Sequence, residues 1–148
     1  MTQNTNIEKK ALTRSMERNR ILESFSIFSL PVCFQNLIIE LLNSNEWDWF
    51  KDVDGCTAVA DYWPSKYNPA CTVHDGLWIT GRGGIESDKI FRQLMLFYGM
   101  PKGHAQRRYI GVRVAWIFVY KWKHKSKGNK RPLTATMRDC IEWIERSN

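Results

Sequence analysis

The chain has 148 residues, a net charge of +7 and a pI near 9.4, which fits one domain able to bury a sizeable core. Low-complexity tracts and internal repeats are absent, so linker-like and solenoid architectures are set aside. A polar start bearing Glu8, Lys9 and Lys10 lacks the apolar centre of a secretory signal. The longest apolar stretch, 109–122, is interrupted by Arg113 and Lys121 and falls short of the roughly 20 residues a membrane span needs; the chain therefore reads as made in the cytoplasm.

From the N-terminus, Ile7, Leu12, Met16, Ile21, Leu22 and Phe25 recur at a helical period, which predicts a helix over 6–28. Its exposed face carries Lys9, Lys10, Arg14, Arg18 and Arg20. Pro31 closes that helix or opens the next. Residues 33–42 hold Phe34, Leu37, Ile38, Ile39, Leu41 and Leu42, apolar nearly all round, as in a buried helix that ends near Asn43-Ser44-Asn45. Trp47, Trp49 and Phe50 follow among charged residues, and the two tryptophans, near a loop tip, could enter a lipid interface.

Between Asp52 and Pro69 the turn formers Asp54-Gly55, Pro64, Asn68 and Pro69 interrupt every period, and a loop of this length in a small domain is usually functional. Pro69 stands at the mouth of a helix over 70–80, where its missing N–H costs nothing. In that helix Cys71, His74, Asp75 and Trp78 share one face at i, i+3, i+4 and i+7. Beyond Gly81-Arg82-Gly83-Gly84, the residues Ile90, Phe91, Leu94, Met95, Phe97 and Tyr98 predict an amphipathic helix over 85–98 with Asp88 in its first turn and a stop at Gly99 and Pro101. Two helices joined by so short a turn run back along each other. His74 could then meet Asp88, with Asp75 beside them.

Residues 105–122 alternate like a strand at Ile110, Val112 and Val114 but also fit a helix through Tyr109, Val112, Trp116 and Val119. The helix is favoured, because no second strand is evident to pair with a first. A basic loop over 121–131 precedes a last helix, capped by Thr134 or Thr136, with Met137, Cys140, Ile141 and Ile144 on one side. The expected fold class is all-α, a single domain over 1–148. N-terminal helices occupy 1–45, a core 54–122, and the basic loop with the C-terminal helix 123–148.

Charge and cysteine placement narrow the chemistry. No acid lies between Lys89 and Arg138, a stretch that holds thirteen Lys and Arg. Such a block suggests an anionic partner: phosphate head groups, nucleic acid or an acidic protein surface. A solvated face is the plain alternative, and no nucleic-acid motif accompanies the basic region over 102–131. His104 and His124 are expected to face solvent, while Trp116, Trp122 and Trp143 are expected to anchor the core or an interface. Cysteines at 33, 56, 71 and 140 show no zinc-like spacing. All four read as reduced thiols, except that Cys56 and Cys71 bracket the irregular loop and could pair in an oxidising place.

The ordered set Asp54-Gly55-Cys56, Asn68-Pro69-Ala70-Cys71-Thr72-Val73-His74-Asp75 and Asp88-Lys89-Ile90-Phe91 resembles the phospholipase A2 superfamily, especially its short bacterial and fungal branch. His74-Asp75-Gly76-Leu77-Trp78 with Asp88, Phe91, Met95 and Gly99 is also similar to small phage-encoded proteins of unassigned function. The likeness spans about 54–122. It implies that His74 is a general base for a water attacking an ester carbonyl, and that Asp88 fixes its tautomer. It further implies that Asp75 binds Ca²⁺ with oxygens of Asp54 and Gly55, that a Cys56–Cys71 bridge pins the loop to the helix, and that Trp78 supports the acid where the family usually has Tyr. On this likeness the chain is a Ca²⁺-dependent acyl-ester hydrolase acting at a phospholipid membrane surface, encoded by a phage or prophage. The alternative is a non-catalytic virion component of the tail or neck, built on the same helices and docking to other phage structural proteins or DNA.

Overall fold

The computed structural model describes residues 2–52, 66–115 and 131–147. Among them the chain is all-α, with six helices and no strand: α1 (Thr2–Ile27), α2 (Val32–Asn43), α3 (Asn68–Ile79), α4 (Ile85–Phe97), α5 (Lys102–Ala115) and α6 (Ala135–Ser147). The ambiguous segment after Pro101 is helical as far as Ala115. Its expected continuation to Trp122, and the basic loop that follows, lie outside the described residues, as does most of the irregular loop before α3.

α1 begins four residues before its first apolar position, Ile7, would require, and it runs for 26 residues, about 39 Å. Its C-terminal half docks through Ile21, Ser24 and Phe25, which are buried, while Met16 is half exposed. The basic residues expected on its outer face are partly committed. Arg14 makes a bidentate contact with Asp48 at 2.9 and 3.1 Å, and Arg18 donates to Asn43 at 2.7 Å. α2 is buried through Phe34, Leu37, Ile38, Leu41 and Leu42, as its uniformly apolar sequence requires. Pro31 precedes it, and its carbonyl accepts from Phe34 and Gln35, so this proline opens a helix. At α6 the cap is Thr134, whose hydroxyl accepts the Met137 N–H at 3.1 Å; Thr136 turns instead to Glu40 on α2.

α4 is the element around which the others are arranged. It packs against α3, α5 and α6, and α2 closes the arrangement by packing against α3 and α6. Ile90, Phe91, Leu94 and Met95 of α4 are each at most 2% exposed, which is the expected consequence of a helix covered on several sides. Phe34 of α2, Phe97 of α4 and Trp143 of α6 form a triangle of edge-on rings with centroids 5.1–5.5 Å apart. Trp143 is thus a core anchor; Trp116 and Trp122 fall outside the described residues. Trp47 and Trp49 are 7% exposed, and the Trp47 indole donates to the Leu41 carbonyl at 2.9 Å, so these rings fill the core and do not present a lipid-facing tip.

Three helices end by the same backbone device. After α1, Leu30 N–H donates to the Phe25 carbonyl and Ser29 N–H to Ser26; after α3, Arg82 donates to Leu77 and Gly81 to Trp78; after α4, Met100 donates to Met95 and Gly99 to Leu96. These are the paired bonds of a Schellman turn, which requires one left-handed residue. Gly81 (φ 86°) and Gly99 (φ 96°) supply it where a side chain would be strained, but after α1 the position is held by Ser29 at φ 51°. Ser29→Gly should therefore stabilise the protein by roughly 1 kcal/mol, read as a higher urea midpoint at unchanged slope.

Tyr98, just past α4, is fully buried, and its hydroxyl lies 2.7 Å from that of Ser24 on α1. Ser24 spends its own proton on the Ile21 carbonyl, so the phenol is the donor to Ser24. Burial pushes the phenol up to about 12. A raised native value means that the unfolded chain loses this proton first. The stabilisation is whole below about pH 10 and is lost as pH rises towards about 12. Relative to neutral pH, wild-type stability should fall by about 1.4 kcal/mol at pH 11 from this group alone, and Tyr98→Phe should remove that part of the alkaline slope in denaturant titrations.

Candidate active site

The geometry of the candidate site is set by the hairpin of α3 and α4. α3 starts at Asn68 with Pro69 in its first turn, and it buries His74, Leu77 and Trp78 against the rest of the fold. Two glycines allow aromatic rings to approach the backbone. A Cβ on Gly76 would sit 2.6 Å from Trp47 Cζ2, and one on Gly83 would sit 2.1 Å from Trp78 Cδ2. The hairpin turn therefore lies directly over the Trp78 ring. In α4, the Ser87 hydroxyl accepts from Gly84 N–H at 2.9 Å and donates to the Gly84 carbonyl at 2.8 Å, which fixes the first turn and with it Asp88.

His74 and Asp88 are brought together. His74 Nε2 lies 2.6 Å from Asp88 Oδ1, with the histidine side chain 7% exposed and the aspartate fully buried. Asp88 Oδ2 accepts from Arg113 Nη1 of α5 at 2.9 Å, and that arginine keeps 29% of its side-chain surface. The carboxylate thus spends one oxygen on each neighbour, as a buried anion requires. Phe91, one turn along α4, backs the imidazole at 4.7 Å between centroids.

The hydrogen-bond partners decide the tautomer. A carboxylate can only accept, so the 2.6 Å contact places a proton on Nε2 and leaves the lone pair of a neutral ring on Nδ1. The Trp78 indole nitrogen is also 3.0 Å from Nε2. An indole can only donate, and Nε2 cannot accept from it while donating to Asp88. The shorter, charge-assisted contact prevails, and Trp78 has a further partner besides. Both of these ring-nitrogen contacts are made at Nε2. The basic nitrogen of the neutral ring is therefore Nδ1.

Asp75 follows His74 on α3, half-buried and engaged in an interaction of its own. Asp54, Gly55 and Cys56, named with it from the sequence, lie outside the described residues. Ca²⁺ takes six to eight oxygen donors. Among the described residues no group of three or more His, Cys, Asp and Glu forms a ready metal cluster, and Asp75 supplies one hard carboxylate towards such a set. Cys71 is disulfide-bonded, whereas Cys33 and Cys140 are free thiols. The Cys140 thiol is driven well above its ordinary range, first by burial and then by the adjacent Cys33. His104 is exposed, and His124 lies outside the described residues.

Arg113 is the site residue that sequence reasoning missed, having been read only as an interruption of an apolar run. Its signal is nonetheless in the sequence. Four residues after Tyr109 and eight after Ala105, it shares their side of α5, and Ala105 is wholly buried. A lone cation on such a face needs a buried anion to meet it. A cavity of about 250 Å³ is found elsewhere, between α1 and the start of α3. It is lined by Ile21, Ser24, Phe28, Lys66 and Pro69 among others, and by none of His74, Asp75 and Asp88.

No family model, curated protein or solved structure matches the chain. Gly83→Ala would force a methyl into the Trp78 ring, so it should destabilise the fold by about 1–3 kcal/mol and change the tryptophan emission spectrum, checked by denaturation followed in fluorescence.

Proposed function

We propose that this chain is an acyl-ester hydrolase of the phospholipase A2 kind, with His74 as general base and Asp88 as the group that orients it. The observation that carries this reading is the 2.6 Å contact from His74 Nε2 to a fully buried carboxylate, which leaves Nδ1 as the basic nitrogen. A water held at Nδ1 would give up a proton as it attacks the ester carbonyl. The imidazolium so formed would be stabilised through Nε2–H by Asp88, and the same proton would later pass to the leaving alkoxide. The oxidised state of Cys71 and the half-buried Asp75 beside His74 agree with the site that the sequence resemblance implies.

Calcium belongs to this reading. Asp75 with oxygens of Asp54 and Gly55 would hold it, and when bound it supplies positive charge to the substrate phosphate and the developing oxyanion. The remaining work falls to the protein: Phe91 and Trp78 exclude water from the back of the imidazole, and Asp88 keeps its proton on Nε2. Basic residues over 102–131 would draw the protein to anionic phospholipid.

One observation favours a second reading, a docking or virion component without turnover. The His74–Asp88–Arg113 cluster joins three helices in the interior. Mixed micelles of anionic phospholipid separate the two. Release of fatty acid should require Ca²⁺, stop with chelator, and fall by at least about a thousandfold in His74→Ala, in line with removal of a general base that also positions the attacking water. Absence of release from the wild-type protein at every calcium concentration, with His74→Ala still folded, selects the docking reading.

A further inference from the structure

We propose that Cys33 and Cys140 are a reactive thiol pair that closes into a disulfide between α2 and α6 when the protein meets a low-molecular-weight disulfide, with Cys33 reacting first. This goes beyond the hydrolase reading and owes nothing to it, since neither cysteine belongs to the cluster around His74.

The pairing follows from how α2 lies against α6. Phe34, the residue after Cys33, meets Trp143 with ring centroids 5.5 Å apart, and further along α2 the Glu40 carboxylate accepts from Thr136. Numbers rise along one helix as they fall along the other, so the two run antiparallel. The start of α2 is thereby brought to the half of α6 that carries Cys140 and Trp143. Cys140 is a fully buried member of the core, Cys33 packs against that core, and both are free thiols. The two thiols are hydrogen-bonded to each other. Cysteines whose side chains point apart cannot be bridged without moving the backbone. Here thiol faces thiol before any oxidation.

The order of events follows from access. Cys140 has no exposed surface, whereas Cys33 is half-buried beside Val32, which is 68% exposed at the first position of α2. The Cys140 thiol also holds its proton, first through burial and then through Cys33, with smaller contributions from Asp139 and Glu40. An oxidant in solution therefore meets Cys33. Its thiolate attacks one sulfur of the small disulfide, the old S–S bond breaks, and one small thiolate leaves and takes up a proton. Cys33 now carries a mixed disulfide, and its own part in holding the Cys140 proton ends. Cys140 gives that proton to solvent, attacks the Cys33 sulfur and expels the second small thiolate, which is protonated in turn. Two protein thiols have then lost two electrons and two protons, and the small disulfide has gained both as two thiols.

The bond would join positions far apart in the chain, and it would do so where α6 also packs on α4, the helix that carries Asp88. Reduced, the pair contributes apolar packing of the ordinary kind for buried cysteine. Oxidised, it constrains the unfolded chain through a long loop, which is where a cross-link has its largest effect on stability. A small disulfide thus converts a packing contact into a covalent tie between the second helix and the last.

The test incubates the whole folded chain with oxidised glutathione and follows it by intact mass and non-reducing peptide mapping. The wild type should lose two hydrogens without retaining glutathione, and the map should join the peptides that contain Cys33 and Cys140. Its unfolding constant should fall by about thirtyfold or more on oxidation. Cys140→Ala should instead stop at one glutathione on Cys33, while Cys33→Ser should leave Cys140 unmodified for as long as the protein is folded. The wild-type map needs no variant, so it decides the matter if Cys140→Ala does not fold. A wild type that keeps both thiols, retains glutathione on Cys33 or bridges either cysteine to Cys71 overturns the proposal. So does a Cys140 that reacts in folded Cys33→Ser as fast as Cys33 does in the wild type.

Discussion

A single carboxylate with no exposed surface holds the centre of this molecule. Asp88 is offered to the interior by the first turn of α4, and it is matched by an imidazole from α3 and a guanidinium from α5. Removing one partner from a buried ion pair typically costs about 3–5 kcal/mol, because the remaining charge is stranded in a poor solvent. That penalty ties the placement of α5 to the orientation of His74. The helices cannot settle into another arrangement of similar apolar burial without stranding the anion.

The same cluster explains why a structural and a chemical interpretation both arise. Buried ion pairs are weak contributors to stability when compared with apolar side chains of like size. Joining three helices could have been done more simply with leucine. What an apolar substitute could not supply is a histidine whose proton is fixed on one nitrogen and whose other nitrogen keeps its lone pair. That asymmetry is the physical reason for preferring the hydrolase interpretation. Asp54 and Gly55, the oxygen donors that the resemblance implies for calcium, lie outside the described residues and contribute nothing to the preference.

Much of this arrangement was legible in the sequence, and the reasons are local. The 3.6-residue period of 85–98 and the glycine at 99 delimit α4 to within a residue, and the four-residue turn before it forces α3 alongside. From these two facts the meeting of His74 with Asp88 follows almost without tertiary information. The start of α1 was less accessible, because polar residues 2–5 carry no periodic signal and Thr2, Asn4 and Thr5 are weak helix formers. Trp47 and Trp49 were misjudged for a related reason. Their alternation with Glu46 and Asp48 looks like a surface loop, but a backbone without a side chain at Gly76 gives the Trp47 ring a place to lie. Arg113 was hidden because its partner is distant in sequence, and a lone arginine in an apolar run reads as a defect until an acid is found opposite.

The Schellman endings of α3 and α4 carry a consequence of a different kind. Each helix is halted by main-chain bonds and a left-handed glycine, so the offset between the two does not depend on any side chain that performs chemistry. The register that sets position 74 opposite position 88 is thus written into the main chain. A lineage carrying this hairpin could gain, lose or redirect a reaction without first having to invent a new scaffold.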